Sequence, residues 1–316
     1  MNDDAHEPAG VLIVGTGALA TLFAARLGRA GTTVTMLGTW SDALRTLGDI
    51  GARLVEANGL EQRVPVGVAE SASDCRGARF AIVLVKSWQT DRAGAQLAGC
   101  LAEDGLALTL QNGLGNREIL AERLGPERVV LGSTTTGATL LGPGLAKAGG
   151  EGVVSIETHP RLTPLRQMLL AAGFHVDVVQ DARALVWNKL VVNSAINPLT
   201  AILRIPNGQL LERPAARHML AALARETAAV AHAEDVRQVA ADPVGMVESV
   251  ALQTASNHSS MFQDVQRGAP TEIDAICGAV TRVGLQHRIP TPMNDACWHL
   301  VQALSQTPAR PGHLAQ

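Results

Sequence analysis

The sequence predicts an α/β fold in which an N-terminal Rossmann-type dinucleotide-binding domain is followed by an all-helical C-terminal domain. The apolar run at residues 10–14 enters Gly-Thr-Gly-Ala-Leu-Ala at residues 15–20 and then a helical pattern, which is the strand, glycine turn and helix order of a nucleotide-binding unit. Apolar segments of strand length recur along the first part of the chain, whereas helical patterns prevail after Asp181. We therefore expect the first domain at residues 1–180 and the second at residues 181–316.

Composition and charge restrict the predicted partners. The 316 residues, 47% hydrophobic and 17% charged, suffice for two globular cores, and the formal net charge is -3 without a dense Lys/Arg run. Residues 1–9 lack an apolar signal core, and no apolar run approaches the roughly 20 residues of a membrane span. We expect a cytoplasmic protein that binds a small molecule, with neither nucleic acid nor membrane as a partner.

The cysteines give no sign of a metal site or a disulfide framework. Cys75, Cys100, Cys277 and Cys297 stand far apart, with no CxxC or Cys/His ligand spacing. We interpret them as small core residues and expect no metal. The chain has no tyrosine, which many hydride-transfer enzymes use as a proton donor, so a reductase built from this chain needs another acid.

The glycine motif defines a predicted cofactor loop. Gly15 makes the tight turn, Gly17 brings bare backbone to the pyrophosphate, and Ala20 permits close packing of the helix on the strand. The cofactor-binding residues predicted in this loop are Gly15, Thr16, Gly17, Ala18 and Leu19.

The end of the second predicted strand, residues 33–37, bears on the choice of cofactor. NAD-specific sites usually carry an Asp or Glu there for the ribose hydroxyls, but residues 37–41 are Leu-Gly-Thr-Trp-Ser. The missing acid leaves room for a 2′-phosphate, with Thr39, Ser41 and Arg45 as candidate contacts. Alternatively, Arg45 is only a solvated helix residue. We expect NADPH as the cofactor, with NADH left open.

Two further buried strands, at residues 80–85 and 106–110, deliver polar residues to the same sheet edge, where ligands bind in open α/β sheets. The first is followed by Lys86 and Gln89, and the second by Asn112. Lys86 is a candidate to bond a ribose or the incoming carbonyl, and Asn112 to orient the nicotinamide or ribose. The alternative is that they are turn formers or surface charges.

The remaining pattern completes the predicted element order. Residues 51–68 alternate around a turn at Asn58 and Gly59, which favours a hairpin appended to the parallel sheet. Further strands, some antiparallel, are predicted at 129–136, 153–157 and 174–179, with a helix at 164–172 before the boundary and helices at 215–233 and 272–283 after it.

A polar stripe marks the start of the second domain. Lys189, Asn193 and Asn197 recur four apart in an apolar background, so on a helix they stack along one face in steps of roughly 6 Å. One ammonium and two amides on such a face suit an oxygen-rich ligand. The alternative is that Lys189 snorkels to water while the Asn residues bridge helices or end this one before Pro198.

A second polar segment completes the candidate site. Residues 257–264 include Asn257 and Ser260, and Thr271 and Glu272 follow. Thr271 and Glu272 are suited to the cap and first turn of a helix, where a carboxylate is favourable. Alternatively, Ser260 and Glu272 supply a hydroxyl and a carboxylate to a small polyoxygenated substrate.

Together these motifs resemble the ketopantoate reductase (2-dehydropantoate 2-reductase) family, and the resemblance covers nearly the whole chain. The motifs that carry it lie, in order, at residues 15–19, 86–89, 112–113, 188–193, 196–201, 259–264 and 271–274. Several separated motifs in the right order are more specific than any one of them.

The resemblance implies a role for each candidate residue. Lys189 matches the family's proton-donating lysine, and Glu272 matches its substrate-positioning carboxylate at the edge of the cofactor site. Asn193, Asn197, Asn257 and Ser260 fall on substrate-binding positions, whereas the cofactor side comprises Lys86, Gln89, Asn112 and Glu272. The family often carries an Arg after the second strand for the 2′-phosphate, and its absence here weakens the NADPH preference.

The implied reaction is the NADPH-dependent reduction of ketopantoate to pantoate in pantothenate biosynthesis. Lys189, as an ammonium, would protonate the developing alkoxide in a cleft between the two domains. Two alternatives are a reductase of another small 2-oxo acid and a non-catalytic dinucleotide-binding sensor. The sequence is compatible with a homodimer.

Overall fold

The computed structural model describes residues 10–306. Proximity of Cα atoms divides this part of the chain into two compact units. Residues 10–111 and 116–182 form the first, which we call the sheet unit, and residues 112–115 and 183–306 form the second, the helical unit. The segment Asn112–Gly115 therefore belongs to the helical unit, although in sequence it lies between elements of the sheet unit.

The sheet unit consists of strands and a few helices. Its strands are β1 (Val11–Val14), β2 (Val34–Leu37), β3 (Ala52–Val55), β4 (Glu61–Val64), β5 (Gly67–Ala69), β6 (Ala78–Val83), β7 (Leu101–Thr109), β8 (Val129–Thr134), β9 (Ala138–Gly142), β10 (Leu145–Ala148), β11 (Val153–Glu157) and β12 (His175–Val179). Its helices are α1 (Ala18–Arg29), α2 (Ser41–Ile50), α3 (Thr90–Cys100), α4 (Asn116–Leu124) and α5 (Thr163–Ala171).

The larger sheet has the order β12-β11-β8-β7-β6-β1-β2-β5 and confirms the predicted Rossmann-type topology. In this spatial order, each strand from β8 along to β5 pairs in parallel with the next one. By contrast, β11 pairs with β8 in the antiparallel sense. The chain leaves β1 towards β2 on one side and returns to β6 on the other. The carboxyl ends of β1 and β6 therefore form the topological switch point at which such sheets bind ligands.

The apolar run of β1 is explained by packing on both faces of the sheet. Val11 and Ile13 belong to the core on the face that α1 covers, and Leu12 and Val14 belong to the core on the opposite face. A strand buried on both faces reads as a continuous apolar segment, which is why the first strand could be predicted from its sequence.

The predicted hairpin is confirmed, but its predicted attachment to the parallel sheet is wrong. β3 and β4 are antiparallel, and Gly59 at the turn has φ 82°. They belong to a second sheet, in the order β4-β3-β10-β9, which packs against α1. β3 pairs there with β10, a partner far away in sequence, while β5 takes the place beside β2. A local alternating pattern contains no information about such a distant partner.

The helical unit is built around a long central helix. Its helices are α6 (Arg183–Leu203), α7 (Gln209–Glu212), α8 (Pro214–Ala233), α9 (Pro243–Gln253), α10 (Ser260–Gln266), α11 (Cys277–His287) and α12 (Pro292–Gln306). Helix α6 packs against α8, α9, α10 and α12. Trp187, Leu190 and Val191 of α6 are buried in the core that these helices share.

Helix α6 continues through Pro198, so the alternative in which Asn197 ends the helix is wrong. A proline inside a helix leaves the carbonyl four residues earlier without its usual donor. That carbonyl belongs to Ser194, and the thiol of Cys277 donates to it at 3.8 Å. Thr200 Oγ1 lies 3.0 Å from the carbonyl oxygen of Ile196. Tertiary packing on all sides thus sustains a helix that the local sequence disfavours.

The described residues 10–306 contain no helix that is long and apolar enough to cross a membrane. Nor do they contain a group of three or more His, Cys, Asp or Glu side chains arranged to hold a metal ion. The four cysteines are free thiols; Cys100, Cys277 and Cys297 are buried as predicted, whereas Cys75 is half-buried.

Candidate functional site

The glycine loop of the sheet unit has the geometry of a phosphate-binding turn. Gly15 has φ 131°, and a Cβ at this position would lie 3.1 Å from the backbone of Leu84, so the turn requires glycine. Gly17 is exposed at the N-cap of α1, and a Cβ there would meet no atom within 4 Å. The space in front of Gly17 is therefore open to a ligand.

The first turn of α1 has no side chain that satisfies its free N–H groups. Gly17 provides no side-chain cap, and the first turn contains no acidic residue. Ala18 and Leu19 form this turn and are half-buried, while Thr16 beside them is buried. An uncapped N-terminus with the positive end of the helix dipole favours an anion such as a pyrophosphate.

The segment after β2 offers no unpaired cation. A Cβ on Gly38 would lie 2.6 Å from Thr16 Cγ2, so a larger side chain at this position requires Thr16 to move. Thr39 is exposed, and Ser41 is the first residue of α2. Arg45 is exposed and pairs with Asp42 at 3.5 Å. This pair agrees with the interpretation of Arg45 as a solvated helix residue.

Lys86 and Gln89 lie in the loop that follows β6. The backbone N–H of Lys86 donates to Gln89 Oε1 at 3.3 Å, so Gln89 closes the turn that Lys86 begins.

The sequence analysis did not single out Gln111, which lies in the same region. Its Nε2 donates to the carbonyl of Val85 at 3.0 Å and to Thr90 Oγ1 at 2.8 Å, which joins the ends of β6 and β7. A Gln directly after a buried strand was the available signal.

The polar stripe of the helical unit lies on α6, as the spacing predicts. Asn197 is only 6% exposed, and Lys189 and Asn193 are half-buried. The side-chain amides of Asn193 and Asn197 make no hydrogen bond to any residue in the described range 10–306, so the alternative in which they bridge helices is wrong. Amides that have no protein partner and still reach solvent are available to a ligand.

Glu272 faces this stripe from another segment. Desolvation lowers the pKa of Lys189 to about 8, and the Glu272 carboxylate opposes that shift. The snorkelling alternative requires an ammonium in bulk water, and this desolvation disfavours it. Glu272 is 5% exposed, and its Oε2 accepts from Asn112 Nδ2 at 3.2 Å. Lys189, Glu272 and Asn112 thus share one electrostatic environment.

The predicted helix over residues 272–283 starts too early. Helix α11 begins at Cys277, so Glu272 lies in a turn before the helix and Thr271 is not its cap. The segment Asn112–Gly115 contacts this turn, since Leu114 N–H donates to the Ala275 carbonyl at 2.9 Å. Gly113, with φ 83°, is required there because a Cβ would lie 2.5 Å from the Ala275 oxygen.

Asn257 and Ser260 are exposed near the N-terminus of α10, which packs against α6. Within the described residues, no side-chain hydrogen bond joins either of them to the stripe. The neighbouring Ser259 has the structural role. Its Oγ accepts from the N–H of Phe262 at 3.1 Å, and it lies 2.7 Å from Thr200 Oγ1 on α6.

Two family models match the chain. One, described as ketopantoate reductase PanE/ApbA, covers residues 11–161, and the other, described as ketopantoate reductase PanE/ApbA C terminal, covers residues 181–305. The chain belongs to the ketopantoate reductase family. It is therefore an NAD(P)H-dependent oxidoreductase, and the resemblance stated from the sequence is confirmed.

Individual proteins are similar to this chain over nearly their whole length. The 2-dehydropantoate 2-reductase of Halobacterium salinarum is 35% identical over 288 residues, which are 90% of this chain and 94% of that protein. The crystal structure of a PanE/ApbA family ketopantoate reductase from Ralstonia eutropha JMP134 superposes with a TM-score of 0.87 at 29% identity, covering 94% of this chain and 98% of that one. A D-mandelate dehydrogenase in a ternary structure with NADH and anilino(oxo)acetate has a TM-score of 0.88 at 25% identity, with the same coverage.

This ketopantoate reductase family member has one further candidate residue that sequence reasoning missed. Asn207 is 7% exposed, and its Nδ2 donates to Thr254 Oγ1 at 2.9 Å. Its Oδ1 is buried without a hydrogen-bond partner among the described residues. The N–H of Asn207 donates to the carbonyl of Asn257 at 3.0 Å, which places it next to a predicted substrate residue. Only the Pro-Asn-Gly turn signal was available in the sequence.

Proposed function

We propose that this chain reduces ketopantoate to pantoate with NADPH, as a step of pantothenate biosynthesis, and that Lys189 is the general acid. The observation that carries the proposal is the stripe on α6. A desolvated ammonium lies on one helix face with two amides that have no hydrogen-bond partner within residues 10–306, and a buried carboxylate faces the ammonium. A small molecule with a carboxylate, a keto oxygen and a hydroxyl offers a partner to each of these groups.

The sheet unit has the features that binding of a dinucleotide cofactor requires. The open space at Gly17, the uncapped first turn of α1 and the positive φ of Gly15 suit a pyrophosphate. The loop after β6, with Lys86 and Gln89, lies at the other side of the switch point. When bound, a nicotinamide cofactor supplies the hydride that the reduction requires.

Lys189 supplies the proton. As the keto oxygen gains negative charge, the ammonium donates a hydrogen bond and then its proton to that oxygen, which becomes the alcohol, and the amine then takes a proton from water. The lowered pKa of about 8 brings the acid closer to neutral pH while leaving most of it protonated there. Asn193 and Asn197 orient the substrate by donating to its oxygens.

The test is steady-state oxidation of NADPH with ketopantoate as the substrate. We expect turnover with ketopantoate and a much lower specificity constant with trimethylpyruvate, which has the same carbon framework without the terminal hydroxyl. No NADPH oxidation with ketopantoate would contradict the proposed function. The family membership and the desolvated Lys189 disfavour a sensor that binds the dinucleotide without turnover.

A second candidate is the reduction of another 2-oxo acid with NADH. The similarity to a D-mandelate dehydrogenase whose ternary structure contains NADH favours it. An aryl 2-oxo acid has no hydroxyl for the buried Glu272, which is why we rank it second. A higher specificity constant for phenylglyoxylate than for ketopantoate would reverse the ranking.

We predict that NADPH is preferred over NADH by no more than about tenfold. The segment after β2 has no unpaired cation for the 2′-phosphate, because Arg45 pairs with Asp42. The ratio of the two specificity constants measures the preference. Asp42→Asn removes the partner of Arg45 and should raise that ratio. A strong NADH preference in the wild type would show that the missing acid was misinterpreted as room for a phosphate.

We also predict a pH profile set by Lys189. The reaction needs the ammonium, so kcat/KM should be constant below the lowered pKa of about 8 and fall about tenfold per pH unit above it. An ordinary lysine would delay this fall to about pH 10.4. The profile is measured with ketopantoate at saturating NADPH. An activity that rises through pH 8 would contradict an acid role for Lys189.

A further inference from the structure

The turn at residues 272–276, which carries Glu272, is held by apolar side chains and by contacts on two sides. Ile273 and Ile276 are 2% and 1% exposed and are buried in the core of the helical unit. On one side, Leu114 N–H donates to the carbonyl of Ala275. The two buried side chains hold the turn on the side that faces the core.

The contact on the other side is made by Asp274. Trp298 Nε1 donates to Asp274 Oδ1 at 2.6 Å, and Gln302 Nε2, one helical turn further along α12, donates to the same oxygen at 3.0 Å. Arg282 Nη2 donates to the carbonyl of Asp274 at 2.7 Å, and its guanidinium lies 5.4 Å from the centre of the Trp298 ring. We call this set of contacts the Asp274 anchor.

The backbone of α11 is adapted to the Asp274 anchor. A Cβ on Gly278 would lie 2.8 Å from Cε2 of Trp298 and 3.2 Å from Nη1 of Arg282, so the indole rests against bare backbone. Asp274 itself is exposed. The exposed carboxylate receives two side-chain donors from one helix, so it ties the turn to α12 outside the core that Ile273 and Ile276 enter.

We propose that Asp274 is a positioning residue for substrate selection: its anchor on α12 sets the rotation of the turn and thereby aims the Glu272 carboxylate at the substrate hydroxyl. The inference rests on the proposed function, because it assigns Asp274 a share in choosing the hydroxylated substrate. Among the described residues of the helical unit, Asp274 makes no hydrogen bond to Lys189. Its loss should therefore act mainly on the binding of one substrate group and leave the Lys189 ammonium in place as the proton donor.

The experiment compares Asp274→Ala with Asp274→Asn on ketopantoate and trimethylpyruvate. Asp274→Ala should raise KM for ketopantoate by about five- to tenfold with kcat changed less than about twofold, because a misdirected carboxylate loses a charged hydrogen bond only in part. Its specificity constant for trimethylpyruvate should stay within about twofold of the wild type. Asp274→Asn keeps an oxygen acceptor and should retain most of the selection. Trp298→Phe removes the donor and should change KM in the same direction as Asp274→Ala.

The matched control is Glu248→Ala. Glu248 accepts two hydrogen bonds from Arg217, both at 2.7 Å, and links α8 to α9 on the surface of the same unit. Its loss removes a comparable contact between helices without touching the turn, so the ratio of the two specificity constants should not change. A purely structural role of Asp274 would lower the unfolding temperature and leave that same ratio at the wild-type value, which would overturn the proposal.

Hydrogen exchange of the substrate-free protein separates this proposal from the proposed function. Peptides that cover residues 271–276 should exchange faster in Asp274→Ala than in the wild type, and at the wild-type rate in Glu248→Ala. If wild-type protein does not reduce ketopantoate, the proposed function fails, and exchange alone then decides whether Asp274 anchors the turn. If the wild type is active, an unchanged substrate ratio in Asp274→Ala overturns only the positioning role.

Discussion

Lys189→Ala is expected to lower kcat for ketopantoate by about 10²- to 10⁴-fold, which is the usual contribution of a general acid. The ammonium lies on the polar face of α6 with its pKa lowered to about 8, and no tyrosine is present to replace it. The dissociation constant of NADPH, measured by fluorescence titration, should stay nearly normal because the glycine loop is unchanged.

The matched control is Lys147→Ala, which removes an exposed lysine from β10 in the sheet unit and should leave kcat unchanged. A small primary amine added to Lys189→Ala should restore part of the activity, since it supplies an acid where the side chain was removed. Wild-type turnover in Lys189→Ala would end the assignment of this residue as the acid. Equal loss of NADPH binding and turnover would indicate unfolding.

The parts of the site that follow from local chemistry could be predicted from the sequence. The glycine loop is specified by residues next to one another: Gly15 must have positive φ, and Gly17 must leave open space. The stripe on α6 follows from helical periodicity alone, and three side chains at steps of four share a face wherever the helix lies. Neither feature needs a partner from elsewhere in the chain.

The parts that depend on distant partners could not be predicted. Glu272 has the local signals of a first helical turn, yet α11 begins at Cys277, and the preceding turn is bonded to Leu114 and α12, which are distant in sequence. The hairpin of β3 and β4 was predicted correctly, but the strand that pairs with β3, β10, is distant in sequence. The buried Oδ1 of Asn207 is visible only once its surroundings are known.

Glu272→Ala is expected to penalise ketopantoate heavily while barely changing the poor use of trimethylpyruvate. Glu272 is 5% exposed and lies close enough to Lys189 to raise its pKa. If its carboxylate accepts a hydrogen bond from the substrate hydroxyl, the loss is about 1.5 to 3 kcal/mol, and only the hydroxylated substrate suffers it. Specificity constants of two substrates with two enzymes give the coupling, which should exceed about 1.4 kcal/mol, a tenfold effect.

The isosteric variant Glu272→Gln separates charge from shape, because it keeps the side-chain oxygen that Asn112 Nδ2 bonds at 3.2 Å. Since the Glu272 carboxylate raises the pKa of Lys189 against desolvation, its neutralisation should move the fall in kcat/KM to a pH below the wild-type midpoint of about 8. A carboxylate that only supported the turn would affect both substrates equally in Glu272→Ala. Equal losses, with an unmoved pH midpoint in Glu272→Gln, would remove Glu272 from the site. Selection of ketopantoate would then have to come from Asn193, Asn197 and the residues around them.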